Sequence, residues 1–199
     1  MAMDAHNQAI QESIDKAKKL IDDLAKVGIH KTILQDNRIL YLSMIEGALP
    51  AAYDTDAELD AYIYDCLKDY ANYPGVYGIQ LGDEPRYACL DEYSAVYRSI
   101  KRVNEKYGFN LFIQYNLNPL NVTEIVYNEY YPASSGTYEW SNYRYTLKLR
   151  DRFTDSVTRY TQYINDFLDA MQPDSIMYDD YPLMEDKKGN LVISDSYIP

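Results

Sequence analysis

Apolar side chains at Ile10, Ile14, Ala17, Leu20, Ile21 and Leu24 recur at intervals of three and four. That spacing predicts an amphipathic helix over residues 4–27, with Gly28 as its stop. A short β-prone run, His30 to Gln35, follows and ends at Asp36. Helical spacing returns over 57–72 with Leu59, Tyr62, Ile63, Cys66, Leu67 and Tyr70, and Pro74-Gly75 then makes a turn. Val76 to Leu81 reads as a strand, residues 89–107 as a helix, and Phe109 to Gln114 as a second strand of the same kind. After a Tyr/Asn/Ser-rich stretch at 120–145, a helix is predicted over 148–171 with Phe153, Val157, Tyr160, Ile164, Phe167 and Met171 on one face. Ser175 to Tyr178 is the last expected strand, and the tail from 183 to 199 shows no periodicity.

The order is therefore α-β-α-β-α-β-α-β. Strands alternating with helices of this length predict βαβ units and a parallel sheet in an α/β fold. No linker or repeat divides residues 1–199, so one domain is expected. A complete eight-fold barrel takes about 250 residues. The chain has 199, which suits one domain with about four parallel strands but is short for a complete barrel.

Every expected strand ends in acids or amides. The tips are Asp36-Asn37, Asp83-Glu84, Asn116-Leu117-Asn118 and Asp179-Asp180. Parallel α/β folds bind ligands at the carboxyl ends of their strands. Turns and helix caps also favour Asp and Asn, so each tip taken alone has a purely structural reading. Residue 84 precedes Pro85, which predicts extended backbone there. Strand alternation predicts Gln80, Gly82 and Glu84 on one face and Leu81 and Asp83 on the other. In the next strand Phe112, Gln114 and Asn116 share a face.

Composition narrows the function classes. Nineteen Lys and Arg against 31 Asp and Glu give a net charge of −12. Such a surface disfavours nucleic-acid backbones, so a nucleic-acid partner is not expected. No apolar run is long enough to span a membrane. Cys66 and Cys89 do not make a disulfide framework, and Cys66 reads as core. With natural termini a cytoplasmic protein is expected, and with a fragment of a longer chain a secreted or cell-surface one. Twenty-three tyrosines stand beside four Phe and one Trp. Most tyrosines must pack helix faces. Trp140, in the long loop with Tyr138, Tyr143 and Tyr145, reads as a sugar-ring contact or as loop packing.

The run Tyr73-Pro74-Gly75-Val76-Tyr77-Gly78-Ile79-Gln80-Leu81-Gly82-Asp83-Glu84-Pro85 resembles the fourth-strand region of glycoside hydrolase TIM barrels, in the clan that includes the β-galactosidases. Asn116-Leu117-Asn118-Pro119 resembles the fifth-strand end of bacterial relatives with an Asp-Glu-Pro motif, and Tyr178-Asp179-Asp180-Tyr181-Pro182 resembles their sixth-strand Tyr-Asp-x-Tyr-Pro. The resemblance spans roughly residues 10–185 and implies strands three to six of a (β/α)8 barrel. It implies a carbohydrate substrate, no cofactor, and Glu84 as general acid/base, with Asp83 where many members have Asn. Glycoside hydrolysis takes two carboxyl groups flanking the glycosidic bond. The clan's seventh-strand nucleophile has no match here, and Asp179 is the local alternative. Asp36, Asp83, Asn116, Asn118, Trp140, Asp180 and Tyr181 are the expected substrate contacts. The competing expectation is a carbohydrate-binding or incomplete-barrel protein that lacks the second carboxylate and associates with itself.

Other chemistry is poorly represented. His6 and His30 have no partner at metal-ligand spacing, and Asp54-Thr55-Asp56 lacks the glycine of a calcium loop. No phosphate-binding loop or nucleophile elbow is present.

Overall fold

The computed structural model describes residues 2–49, 53–117, 129–132, 138–141, 156–177, 183–185 and 191–193. The chain opens with helix α1 (Ala2–Lys26), then β1 (Thr32–Gln35) and α2 (Asn37–Met44). Helix α3 (Asp56–Leu67), β2 (Val76–Asp83), a 3₁₀ turn (Tyr87–Cys89) and α4 (Leu90–Tyr107) follow. Next come β3 (Phe112–Asn116), the strands β4 (Glu129–Pro132) and β5 (Tyr138–Ser141), and α5 (Ser156–Met171). Strands β6 (Leu183–Glu185) and β7 (Leu191–Ile193) end the order.

The molecule is mixed α/β. β1, β2 and β3 form a parallel sheet in that spatial order, which is the chain order that βαβ alternation predicts. The sheet is open, and no closed barrel is formed among the described residues. Among the described residues the fourth expected strand does not join this sheet. Ser175–Met177 instead runs beside the end of β3, where the Leu117 amide donates to the Met177 carbonyl at 3.1 Å. Two antiparallel hairpins, β4–β5 and β6–β7, occupy stretches that the sequence leaves without periodicity.

Local chemistry explains the helices. Thr55 and Glu58 form a reciprocal capping box at the start of α3, with the Glu58 amide donating to Thr55 Oγ1 at 3.3 Å and the Thr55 amide to Glu58 Oε2 at 3.1 Å. Helix α4 ends at Gly108 in the left-handed region, φ 69°. Short α2 escapes prediction because eight residues hold barely two turns of pattern.

One face of the sheet carries the core. Ile79 and Leu81 of β2 are fully buried, with Ile113 and Tyr115 of β3 on the same side. Against them pack Ile39 and Leu42 of α2, Ile63, Cys66 and Leu67 of α3, Val96, Ile100 and Val103 of α4, and Tyr163, Phe167 and Met171 of α5. Burial pushes the Cys66 thiol up to about 12, which fits its reading as core.

Tyrosine does much of the work usually given to phenylalanine. Tyr93, Tyr115 and Tyr163 are among the largest fully buried side chains. A buried phenol needs a partner for its hydroxyl. Tyr93 donates to the Gly82 carbonyl at 3.0 Å, Tyr163 to the Pro85 carbonyl at 3.0 Å, and Tyr115 to the Ser175 carbonyl. The rings meet edge-on or tilted: Tyr93–Phe167 at 5.7 Å and 81°, Tyr163–Phe167 at 4.8 Å and 58°. No helix among the described residues is long and apolar enough to cross a membrane.

Candidate functional site at the strand tips

Parallel strands leave their carboxyl ends on one edge, and that edge gathers Asp36, Asp83, Glu84 and Asn116. Asp36 sits after β1 and caps α2, accepting from the Arg38 amide at 2.9 Å. The same carboxylate accepts from Arg38 Nη2 at 2.6 Å and from the Tyr70 hydroxyl at 3.0 Å. Arg38 Nη2 also reaches the Cys66 carbonyl at 2.9 Å, so the group ties α2 to α3. The hydrogen bonds that Arg38 donates to the Asp36 carboxylate raise it above the ordinary guanidinium range. These contacts express the cap reading of Asp36. A cavity of about 380 Å³ between α1 and the end of β1 is lined by Ile10, Ile14, Leu34, Asp36, Arg38 and Tyr70 among others. Asp83, Glu84 and Asn116 take no part in that lining.

At the tip of β2 strict alternation breaks down. Gln80 pairs with Gln114 but Asp83 pairs with Asn116, so three steps along β2 match two along β3. This is a β-bulge, and it inverts the side-chain parity beyond Gln80. Asp83, rather than Glu84, comes level with Asn116. The Asn116 amide Nδ2 donates to Asp83 Oδ1 at 2.9 Å. The bulge turns the Leu81 and Gly82 carbonyls toward the helices, where Ser43 Oγ of α2 meets Leu81 at 2.6 Å and the Tyr93 hydroxyl meets Gly82 at 3.0 Å. A Cβ at 82 would lie 2.6 Å from Met44 Sδ and 3.0 Å from Tyr93 Cε2, so any larger residue there must displace the Met44 side chain.

Glu84 departs from the extended backbone expected before proline. Its φ is +48°, in the left-handed region. Proline at 85 disfavours the right-handed helical region for residue 84, and the bulge aims the Glu84 amide at the Asn116 carbonyl, 2.9 Å away. The left-handed conformation costs a residue with a Cβ about 1–2 kcal/mol. Helix anchors hold the turn in place. Tyr163 reaches Pro85, Tyr87 donates to Asp166 Oδ2, and Cys89 Sγ donates to the Met44 carbonyl at 3.3 Å.

Asn118, Asp179, Asp180 and Tyr181 lie outside the described residues. Trp140 falls on β5 opposite Tyr130 in the antiparallel ladder. The structure thus brings Asp83, Glu84 and Asn116 together and sets Asp36 into a cap at the end of the neighbouring strand. Sequence reasoning missed the residues that brace the edge: Ser43, Tyr87, Tyr93 and Tyr163. Helical spacing places Tyr93 on an apolar face, the face expected over 148–171 does not include Tyr163, and nothing in the spacing says which carbonyl either hydroxyl meets. Comparison with protein-family models, curated proteins and solved structures returns no match.

Proposed function

We propose that the protein carrying this chain acts on carbohydrate as a glycoside hydrolase, with Glu84 as general acid/base. The observation that carries the reading is the conformation of Glu84: a carboxylate at the carboxyl tip of a parallel strand, in left-handed backbone, one residue from the Asp83–Asn116 pair. Backbone strain of this kind clusters at functional sites. The strand-end motifs that resemble β-galactosidase-clan barrels point the same way, and in this reading the open sheet is part of a (β/α)8 frame.

The chemistry needs a proton delivered to the glycosidic oxygen and a second carboxylate as nucleophile or base. Glu84 supplies the proton and Asp179 is its proposed partner. Asp83, Asn116, Asn118, Trp140, Asp180 and Tyr181 are proposed substrate contacts. Asp83 and Asn116 offer acceptors and a donor to sugar hydroxyls while fixing one another's orientation.

Glu84→Gln keeps the shape and removes the proton. Hydrolysis of a panel of aryl glycosides should fall by at least 10²-fold, the usual contribution of a positioned acid, with binding retained. Unchanged turnover in this variant refutes the role. Saturable binding of sugars with no turnover by the wild type replaces the hydrolase with a carbohydrate-binding protein.

A further inference from the structure

We propose that Gln80 and Gln114 form the floor of the sugar site, below Asp83 and Asn116, with Gln35 extending the row at the sheet edge. The inference rests on the carbohydrate reading above and deepens it by naming hydroxyl-contacting residues.

The parallel registers align these glutamines: Gln35 pairs with Gln80, and Gln80 with Gln114. Their neighbours Ile79, Leu81, Ile113 and Tyr115 point into the core, so the glutamines share the opposite face. Asp83 and Asn116 form the next pair along that ladder. Below the row Phe112, level with Gly78, stacks with Tyr77 at 5.6 Å and 22°. Along β3 the face therefore reads, from amino to carboxyl end, Phe112, the amide row, then the acid–amide pair.

Parallel sheets are ordinarily apolar on both faces. Three amides abreast are a poor way to fill a packed interior. Gln80 and Gln114 are half-buried, and neither side-chain amide bonds another described residue. Each amide offers donors and an acceptor, spaced about 4.8 Å apart by the strands. A hydroxyl is likewise donor and acceptor in one group. The row carries no cation, and Asp83 stands at its end, so a neutral polyhydroxylated ligand fits and an anionic one does not.

The test screens the full chain on a printed array of plant, fungal and animal oligosaccharides, then titrates the best binder calorimetrically against Gln80→Leu, Gln114→Leu, the double variant and Glu84→Gln. Leucine matches the volume, and Gln80→Glu and Gln114→Glu serve where a leucine variant fails to fold. Each single variant should bind roughly fivefold more weakly, the loss of one neutral hydrogen bond, and the double variant more weakly still. Glu84→Gln should instead lose turnover of the bound sugar, which separates the catalytic role from the amide contacts. Wild-type affinity in folded glutamine variants overturns this inference and leaves the carbohydrate reading standing. No binding by the wild type to any sugar on the array overturns both.

Discussion

Asn116 grips the tip of β2 at two points: its side-chain amide donates to the Asp83 carboxylate at 2.9 Å, and its backbone carbonyl accepts the Glu84 amide at 2.9 Å. One residue of β3 thus fixes two consecutive acids of β2. Asn116→Asp would set a second carboxylate against Asp83. Like charges repel when both are ionised. The variant should melt below wild type at pH 7, and the gap should narrow as the pH falls below about 4, where carboxylates take up protons. Thermal melts of both proteins at pH 7 and pH 3 measure this.

The left-handed backbone at Glu84 predicts a difference between two variants that lack the same side chain. Glu84→Gly removes the Cβ clash and Glu84→Ala keeps it. The glycine variant should be the more stable by about 1 kcal/mol, read from paired urea titrations. Equal stabilities, or a more stable alanine variant, contradict the strained conformation.

Tyr93 is fully buried, and its hydroxyl meets the bulge carbonyl of Gly82 at 3.0 Å. Tyr93→Phe leaves that carbonyl without its donor. A loss of about 1–3 kcal/mol is expected, measured by chemical denaturation. A neutral substitution would mean that the bulge finds another donor.

Asp60 on α3 accepts from Arg102 Nη2 at 2.8 Å and from Ser99 Oγ at 2.6 Å. Burial works to raise its carboxyl, but the bonds from Arg102 and Ser99 prevail and hold it below the usual 3.8. The folded state therefore binds this proton less readily than the unfolded state, and the contribution is present above pH 4 and lost as the pH falls through the lowered value. Asp60→Asn should cost about 1 kcal/mol at pH 7, and the cost should vanish in the most acidic titrations. A pH-independent difference between the two proteins would contradict the ion-pair account.

The long helices and the three parallel strands were legible because periods of 3.6 and 2 write burial directly into residue spacing. Leu59, Ile63, Cys66 and Leu67 line up as the helix pattern requires, and all four are buried. Asp36 was visible as a polar tip, yet its cap depends on Arg38 and on Tyr70, 34 residues away. The facing of Asp83 and Glu84 was misread for a physical reason. Alternation assumes an uninterrupted ladder, and the bulge between Gln80 and Asp83 is set by tertiary donors, Ser43 and Tyr93, that no local pattern announces. The hairpins β4–β5 and β6–β7 were missed because strands of three or four residues hold too few alternations to register.

The Tyr163–Pro85 hydrogen bond joins positions 78 residues apart. During synthesis β2 leaves the ribosome long before α5 exists. Until residue 167 has emerged, the turn after Glu84 lacks both the hydroxyl that holds Pro85 and the Phe167 ring packed on Tyr87 and Tyr93. Asn116 is in place earlier, so the strand-tip acids meet their β3 partner first and the Pro85 turn beside them gains its anchor only when α5 follows.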